Sequence, residues 1–324
     1  MSNPLFSFVD AERVKLKASI MIEGLTGSGK SGLALLLGYY LADGDWSKVF
    51  DIDTENKSAN LFAGIPFSNG EPVGKFKVGQ LTEQLGFKPS NYLAFRDAAK
   101  KMGAAVVIED SISHAWQYQG GVLDMVTEAA KKTARNDKYA AWRDEAVAKE
   151  KNNLLTLLRD PNCHVITTVR VKEKFEYVEE DGKNKLKSLG EQQIQQADLK
   201  YEPDLVLHMV RAGSDVSHPK AEVIKSRYAI LKVGEEYEFT PDLCLQLKAY
   251  LESGAYLESG ADPSELLEKQ REEYISAVKE YLDNHKNKQA VWQVIKEDAG
   301  YKDEKLIDLP LNIVKKLYMQ LTID

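Results

Sequence analysis

A glycine-rich segment near the N-terminus has the residue types and spacing of a phosphate-binding loop. Residues 24–31 read Gly-Leu-Thr-Gly-Ser-Gly-Lys-Ser, which is the complete pattern G-x-x-x-x-G-K-[ST]. In such a loop, backbone N–H groups surround a phosphate, and the start of the following helix adds partial positive charge. Lys30 is expected to reach the β- and γ-phosphates of ATP, and the Ser31 hydroxyl to bind Mg²⁺. The predicted nucleotide-binding residues of the loop are therefore Gly24, Leu25, Thr26, Gly27, Ser28, Gly29, Lys30 and Ser31.

Two acidic residues at the ends of other predicted strands extend this site. Asp110 follows the apolar run 106–108, and an aspartate at such a strand end is predicted to hold Mg²⁺. Glu109 is not assigned to the site, because successive side chains of a strand point to opposite faces. Glu55 follows a strand that ends at Asp53, and its carboxylate is predicted to polarise the water that attacks the γ-phosphate. Asp53 is predicted to be a local hydrogen-bonding partner; the alternative for this segment is a solvated turn.

Alternating strand and helix signals from about residue 18 to 235 must position these side chains. Buried strands are predicted at 20–22, 48–53, 104–108 and 164–169, and helices at 32–37, 90–102 and 136–159. Ser90 is predicted to cap the second of these helices and Gly103 to end it. The alternation predicts an α/β fold with a mostly parallel sheet flanked by helices. Residues 173–190 predict a β-hairpin around an Asp-Gly turn.

The pattern changes to helix alone in the last quarter of the chain. We predict a core over residues 1–245, a linker over 246–262 and a helical C-terminal domain over 263–324. A tandem hexamer, Tyr-Leu-Glu-Ser-Gly-Ala, occupies 250–261 and is too short for a solenoid repeat. The C-terminal helices either stabilise the core or dock an annealing, replication or single-strand-binding protein.

Composition limits the classes of function. The formal net charge of −7 disfavours a protein that coats nucleic acid over its whole surface, so any DNA contact must come from a local patch. Two cysteines and five scattered histidines predict neither a disulfide framework nor a zinc site. The absence of an apolar stretch of membrane-spanning length, and an N-terminus unlike a secretory signal, predict a cytoplasmic protein with no membrane partner.

Several segments together resemble the RecA-like recombinase core. Asp53-Thr54-Glu55 after the phosphate loop, and a later strand that ends in Asp110-Ser111, are similar to that family. The run 165–172 resembles its next strand and the start of its DNA-binding loop. The stretches 110–116 and 120–124 are similar to phage-encoded RecA-like ATPases, a group that includes proteins of single-strand annealing and recombination. The resemblance covers roughly residues 15–235.

This resemblance implies a magnesium-dependent ATPase that acts on single-stranded DNA as a homo-oligomeric ring or filament. Its cell would be a bacterial host if the protein is phage-encoded. Arg170, Lys172 and Lys174 would contact DNA or a phosphate bound to a neighbouring subunit. Thr168 takes the position at which recombinases place a glutamine that senses the γ-phosphate, and we count it among the nucleotide contacts. Because a threonine reaches less far, coupling between ATP and DNA is expected to differ.

The function, and the roles of His114 and Trp116, each have an alternative interpretation. A small-molecule kinase uses the same loop, although the predicted lid at 173–190 contains no arginine. A nucleotide-gated assembly module would use ATP to control association with a protein partner. His114 and Trp116 are predicted to be packing residues, with stacking on a nucleobase as the alternative.

Overall fold

The computed structural model describes the backbone of residues 15–65, 73–180, 183–210, 219–252, 263–285 and 288–298, and of single residues or short runs between 301 and 321. The side chains of residues 173–190 lie outside the described part, as do several in the C-terminal helices. The predicted Asp-Gly turn and most of the tandem hexamer therefore also lie outside it.

Within the described residues, nine strands form one sheet whose centre is parallel. They are β1 (Ser19–Gly24), β2 (Val49–Asp53), β3 (Lys77–Gln80), β4 (Val106–Asp110), β5 (His164–Glu180), β6 (Lys183–Gln193), β7 (Leu205–Met209), β8 (Lys220–Ser226) and β9 (Glu236–Glu238). The spatial order is β3-β2-β4-β5-β1-β7-β8-β9, and β6 pairs with β5. The strands from β3 to β7 in this order are parallel, whereas β6, β8 and β9 pair in antiparallel fashion. The predicted α/β fold with a mostly parallel sheet is confirmed.

Strand β5 extends well past its predicted end at Val169. It pairs with β1 as far as the partners Gly24 and Arg170. From Val171 onward it pairs with β6, beginning opposite Gln193. We call this antiparallel pair the β5–β6 ribbon. Its backbone confirms the predicted hairpin and places the ribbon at the same edge of the sheet as the phosphate-binding loop.

Helices cover both faces of the parallel strands. In the order of the chain they are α1 (Lys30–Leu41), α2 (Pro89–Lys101), α3 (Ser113–Gln117), α4 (Val122–Lys131), α5 (Lys138–Ala141) and α6 (Glu145–Thr156). Helix α7 (Pro241–Glu252) comes after β9 in the chain. Val106 and Ile108 of β4 lie against Gly38 of α1, whereas Val107 belongs to the apolar cluster that also contains residues of α2 and α6. Because β4 is buried on both faces, its residues 106–108 are all apolar rather than alternating with polar ones.

Two helix predictions are wrong in detail. Helix α2 begins at Pro89, so Ser90 lies in its first turn, where its N–H donates to Glu150 Oε2 at 2.9 Å. Ser90 therefore does not cap the helix. The segment 136–159 is not one helix, because the carboxylates of Asp137 and Asp144 each accept two backbone N–H groups and begin α5 and α6 separately. Aspartate is among the strongest N-cap residues, and two of them divide this segment.

Contacts divide the chain into two compact units, Lys17–Cys244 and a second unit that combines Met1–Leu16 with Leu245–Asp324. The described residues Lys15 and Leu16, which were predicted to lie in the core, group with the second unit. Within that unit, the N–H of Leu16 donates to Leu251 O at 2.9 Å. Residues 246–252 of the predicted linker belong to α7, and the predicted domain boundaries stay a prediction.

The second unit contains α8 (Pro263–Asn284) and α9 (Gln289–Asp298). Its apolar cluster consists of Ile275, Val278, Trp292, Leu309, Ile313, Val314, Leu317 and Leu321. Ile275 and Val278 of α8, and the apolar residues between 309 and 321, recur every three or four positions. This spacing places them on one face of a helix, which can then be buried. Across the described residues, no helix combines the length and the apolar character needed to cross a membrane.

Both cysteines of the chain are free thiols and are buried. Cys163 lies next to the start of β5, and burial raises the pKa of its thiol to about 12. Burial also raises the pKa of Cys244. Because the thiolate is the reactive form, these two buried thiols are expected to be unreactive near neutral pH.

Candidate active site

The glycine-rich loop connects β1 to α1 at the carboxyl edge of the parallel strands. Gly27 and Gly29 have φ angles of +77° and +92°, a region that glycine enters without steric cost. Lys30 is the first residue of α1, and its Nζ donates to the loop carbonyls of Gly24 at 3.0 Å and Leu25 at 2.9 Å. Burial lowers the pKa of Lys30, and nearby carboxylates oppose that shift. The loop lysine thus lies over the turn that would hold a phosphate.

Asp110, the last residue of β4, lies directly against this loop. Its Oδ2 accepts a hydrogen bond from the hydroxyl of Ser31, and its Oδ1 accepts one from the hydroxyl of Thr168 on β5. Burial raises the pKa of Asp110, and the two hydroxyl donors lower it. A buried carboxylate beside a hydroxyl suits Mg²⁺, which takes few protein ligands and completes its shell with water and phosphate oxygens. Ser31 and Asp110 therefore fit the predicted metal role.

The described residues contain no group of three His, Cys, Asp or Glu side chains that could hold a metal ion by itself. A magnesium site of the phosphate-loop type needs no such group, because the nucleotide supplies part of the coordination shell.

Thr54 joins the ends of β2 and β4. Its N–H and its hydroxyl both donate to Asp110 O, at 2.8 and 3.0 Å, and the hydroxyl accepts from Ser111 N at 2.8 Å. These bonds continue the strand register, in which Asp53 lies opposite Asp110. Thr54 therefore sets the position of the next residue, Glu55, relative to the end of β4 that carries the Asp110 carboxylate. Threonine is common at strand ends, so the sequence carries no signal for this role of Thr54.

Glu55 lies at the same edge of the sheet as the loop. Asp53 Oδ1 accepts from the N–H of Glu55 at 2.6 Å and Asp53 Oδ2 from Gln80 Nε2 at 3.1 Å, which agrees with the predicted local role of Asp53. The side chain of Glu55 is 26% exposed. Its charge acts on both Lys30 and Asp110. Glu55 thus belongs to the same electrostatic cluster as the predicted phosphate and metal ligands, where a base for water attack must lie.

Arg170 forms an ion pair with Glu55. Its Nε and one terminal nitrogen lie 2.8 and 2.7 Å from Glu55 Oε1, and its other terminal nitrogen donates to Tyr118 Oη at 3.2 Å. Desolvation opposes the charged form, but the hydrogen bond and charge of Glu55 raise the pKa of Arg170 overall. Arg170 was predicted to contact DNA or a neighbouring subunit, which stays a prediction. Neither its partner Glu55 nor its contact with Tyr118 was predicted from the sequence.

Three further residues, Thr168, Lys172 and Lys174, were predicted to contact the nucleotide, DNA or a neighbouring subunit. Thr168 is fully buried, and its hydroxyl is directed to Asp110; the predicted contact with a γ-phosphate stays a prediction. Lys172 is exposed on β5, two residues past Arg170. The side chain of Lys174 lies outside the described part. Contacts of Lys172 and Lys174 with DNA or a neighbouring subunit also stay predictions.

Helix α3 packs into the core directly after the site. His114 is 4% exposed, and its ring centroid lies 4.1 Å from that of Tyr118. Burial, followed by the positive charge of Arg170, lowers the pKa of His114 to about 4. Trp116 stacks on Trp142 at 6.2 Å. The packing interpretation of His114 and Trp116 is confirmed, and stacking of His114 on a nucleobase is wrong because the ring is enclosed.

Glu109 points to the opposite face from Asp110, as strand alternation predicts. Arg96 Nε donates to Glu109 Oε1 at 3.1 Å, and both side chains are buried. The same guanidinium donates to the carbonyls of Thr156, Leu157 and Arg159 at the end of α6. Burial raises the pKa of Glu109, and Arg96 opposes this shift. Glu109 is therefore part of the support beneath β4 and lies outside the nucleotide site.

The fold and the site together define a P-loop nucleoside triphosphate-binding protein. The loop follows the central strand β1. Asp110, which accepts a hydrogen bond from the loop residue Ser31, ends β4, and β4 lies two strands away from β1 in the sheet. Residues 16–238 match the family described as "AAA domain" (AAA_24), and the chain belongs to this family. No curated relative matches the chain.

Among solved structures, the chain is similar to a KaiC-like protein from the hyperthermophilic archaeon Pyrococcus horikoshii OT3. The two are 14% identical, the match covers 70% of this chain and 88% of that chain, and the TM-score is 0.37. A likeness this distant carries no conclusion about activity.

Proposed function

We propose that the protein hydrolyses Mg²⁺–ATP and couples hydrolysis to the binding of single-stranded DNA, in phage recombination, annealing or replication. The observation that carries the proposal is the convergence of four side chains at one edge of the sheet, namely Lys30, Ser31, Glu55 and Asp110. Membership of the AAA domain family supports ATP as the nucleotide. We further propose that the protein acts in the cytoplasm as a homo-oligomeric ring or filament.

Each of these side chains has one task in the reaction. Lys30 exchanges its bonds to the loop carbonyls for bonds to β- and γ-phosphate oxygens, where negative charge develops. The Ser31 hydroxyl and the Asp110 carboxylate would hold Mg²⁺, which would supply positive charge that neutralises the phosphate groups. Glu55 accepts a proton from the attacking water while the water oxygen bonds to the γ-phosphorus and ADP leaves.

The position of two cations on β5 supports the DNA part of the proposal. Arg170 and Lys172 lie where β5 leaves the parallel sheet and joins the β5–β6 ribbon. A nucleic-acid backbone on the base of this ribbon would lie beside the nucleotide site. The resemblance of residues 165–172 to the DNA-binding segment of recombinases supports the same surface. Because the chain is acidic overall, binding must depend on such a local contact.

A turnover assay with and without oligo(dT) tests the proposal. Phosphate release is expected to rise at least about fivefold with saturating oligo(dT), the lower end of the usual coupling between two sites. The affinity for a labelled oligo(dT) should fall as salt rises, because phosphate contacts release counterions. Unchanged turnover together with no salt-sensitive binding would refute the DNA part. ATP-dependent assembly without DNA would then favour the nucleotide-gated module.

Thr168→Val tests the metal assignment. Valine keeps the buried shape but removes the hydroxyl that donates to Asp110. We expect the Mg²⁺ concentration for half-maximal turnover to rise about tenfold, as is usual when a partner of a metal ligand is lost. Thr167→Val is the matched control, because the Thr167 hydroxyl faces the other way and donates to Ile20 O. Equal Mg²⁺ requirements in the two variants would contradict the assignment of Asp110 to the metal.

A further inference from the structure

One imidazole lies between two carboxylates in front of the phosphate-binding loop. His208 is opposite Glu23 in the pairing of β7 with β1, and its Nδ1 lies 3.0 Å from Glu23 Oε1. Its Nε2 lies 3.4 Å from Glu191 Oε2 on β6. A neutral imidazole has one N–H donor, whereas the imidazolium has a donor at both ring nitrogens. Only the protonated ring can therefore donate to both carboxylates.

Acidic groups reach His208 from three strands. Besides Glu23 of β1 and Glu191 of β6, Glu222 of β8 lies opposite His208 in the antiparallel pairing. The hydrogen bond to Glu23 is the main cause that raises the pKa of His208 above its usual value of 6.5, and the three negative charges act in the same direction against partial burial. The ring is 22% exposed, so it can exchange its proton with solvent.

Both sides of the β1–β7 contact meet the phosphate-binding loop. Glu23 directly precedes Gly24, whose carbonyl accepts from Lys30 Nζ at 3.0 Å. Met209, the residue after His208, lies against the loop: a Cβ added at Gly24 would be 3.0 Å from Met209 Cβ, and one at Gly29 would be 3.5 Å from Met209 Cε. The end of β7 therefore supports the turn that would hold the phosphates.

The same imidazole connects the loop to the β5–β6 ribbon. Glu191 lies on β6, and two residues further on Gln193 Nε2 donates to the other oxygen of Glu23. The charge of Glu191 also acts on Lys30. When His208 is charged it shares the Glu191 carboxylate with Lys30, which leaves the ammonium of Lys30 more available to phosphate oxygens.

We propose that His208, as an imidazolium, is a positioning residue of the nucleotide site: it joins Glu191 of the ribbon to Glu23 in front of the loop, and ATP affinity falls as rising pH removes its proton. We call these three side chains the His208 clamp. A neutral ring releases one of the two carboxylates and leaves its charge uncompensated beside a loop that must hold phosphates. The effect on ATP rests on the proposed function, whereas the clamp itself does not depend on hydrolysis.

His208→Gln tests the effect on ATP. Because folding raises the pKa of His208, its contribution is complete below pH 6.5 and is lost as the pH rises through the raised pKa. Between about pH 6 and about pH 8.5, the dissociation constant of a fluorescent ATP analogue should increase about fivefold more in the unmodified protein than in His208→Gln, the lower end of the usual coupling between two sites. Ionisation of the analogue itself is common to both proteins and cancels in this comparison.

His285→Gln is the matched control. It removes another histidine of the chain, an exposed one that follows α8 and stacks on Tyr281. Its nucleotide affinity should depend on pH as in the unmodified protein. A pH dependence that survives unchanged in His208→Gln, or that is lost equally in His285→Gln, would overturn the inference.

Glu191→Gln separates the clamp from the proposed function and serves if His208→Gln does not fold. It keeps the imidazole and removes one of its carboxylates, so the midpoint of the His208 titration, followed by NMR with isotopically labelled histidine, should move to lower pH. An unchanged midpoint overturns the clamp. If the unmodified protein binds no ATP analogue at any pH, the proposed function fails together with the effect on ATP, while the titration still decides whether the clamp exists.

Discussion

Glu55→Gln is expected to lower ATP turnover by about 10²–10⁴-fold, the usual contribution of a general base. Glutamine keeps the size of the side chain and one acceptor oxygen but cannot take a proton from water. Because Lys30, Ser31 and Asp110 are untouched, ATP affinity should stay within about twofold of the original value. Single-turnover hydrolysis and titration with a fluorescent ATP analogue measure the two quantities separately.

Lys30→Ala provides the contrasting case. It removes the ammonium that lies over the loop, so ATP binding and turnover should be lost together. Full activity in Glu55→Gln would rule out the assignment of the base. A parallel loss of ATP affinity in Glu55→Gln would instead give Glu55 a structural role in the loop.

Arg96→Met is expected to lower the free energy of unfolding by about 3–5 kcal/mol. The substitution leaves the carboxylate of Glu109 buried without its cation. It also removes the donors to three carbonyls at the end of α6. Urea denaturation followed by tryptophan fluorescence, to which Trp46, Trp116 and Trp142 of the unit Lys17–Cys244 contribute, measures the loss.

The double variant Arg96→Met/Glu109→Leu shows whether the unpaired charge is the cause. Replacing both partners of a buried pair by apolar residues is often close to neutral, so much of the loss should be recovered. Arg227→Met removes an arginine that is 54% exposed and leaves Asp204 paired with Arg159, so it should change stability by no more than about 0.5 kcal/mol. A loss of under about 1 kcal/mol in Arg96→Met would show that this pair does not support β4.

The phosphate-binding loop and the parallel sheet could be predicted because their signals are local. Eight consecutive residues specify the loop, 24–31, and continuous apolar runs such as 106–108 identify strands buried on both faces. The opposite orientation of Glu109 and Asp110 follows from strand geometry alone. These features need no knowledge of which strands are neighbours.

The contacts between distant segments could not be predicted, because they depend on the strand order. Glu55 and Arg170 are 115 positions apart in the chain, and the Thr54 hydroxyl meets a carbonyl 56 positions away. Only the order β2-β4-β5 brings these residues to one edge. The division of 136–159 was missed for a different reason. The residues around Asp137 and Asp144 favour helix, so the sequence pattern predicts one continuous helix, although both aspartates cap helices in the structure.

The enclosure of both native thiols makes the chain ready for site-selective fluorescent labelling. A maleimide dye reacts with thiolate, and Cys163 and Cys244 are buried with raised pKa values. A cysteine introduced at the exposed position Lys172 would therefore carry the dye alone, with no need to remove native residues. Such a probe at the base of the ribbon would report directly whether a nucleic acid added to the protein binds there.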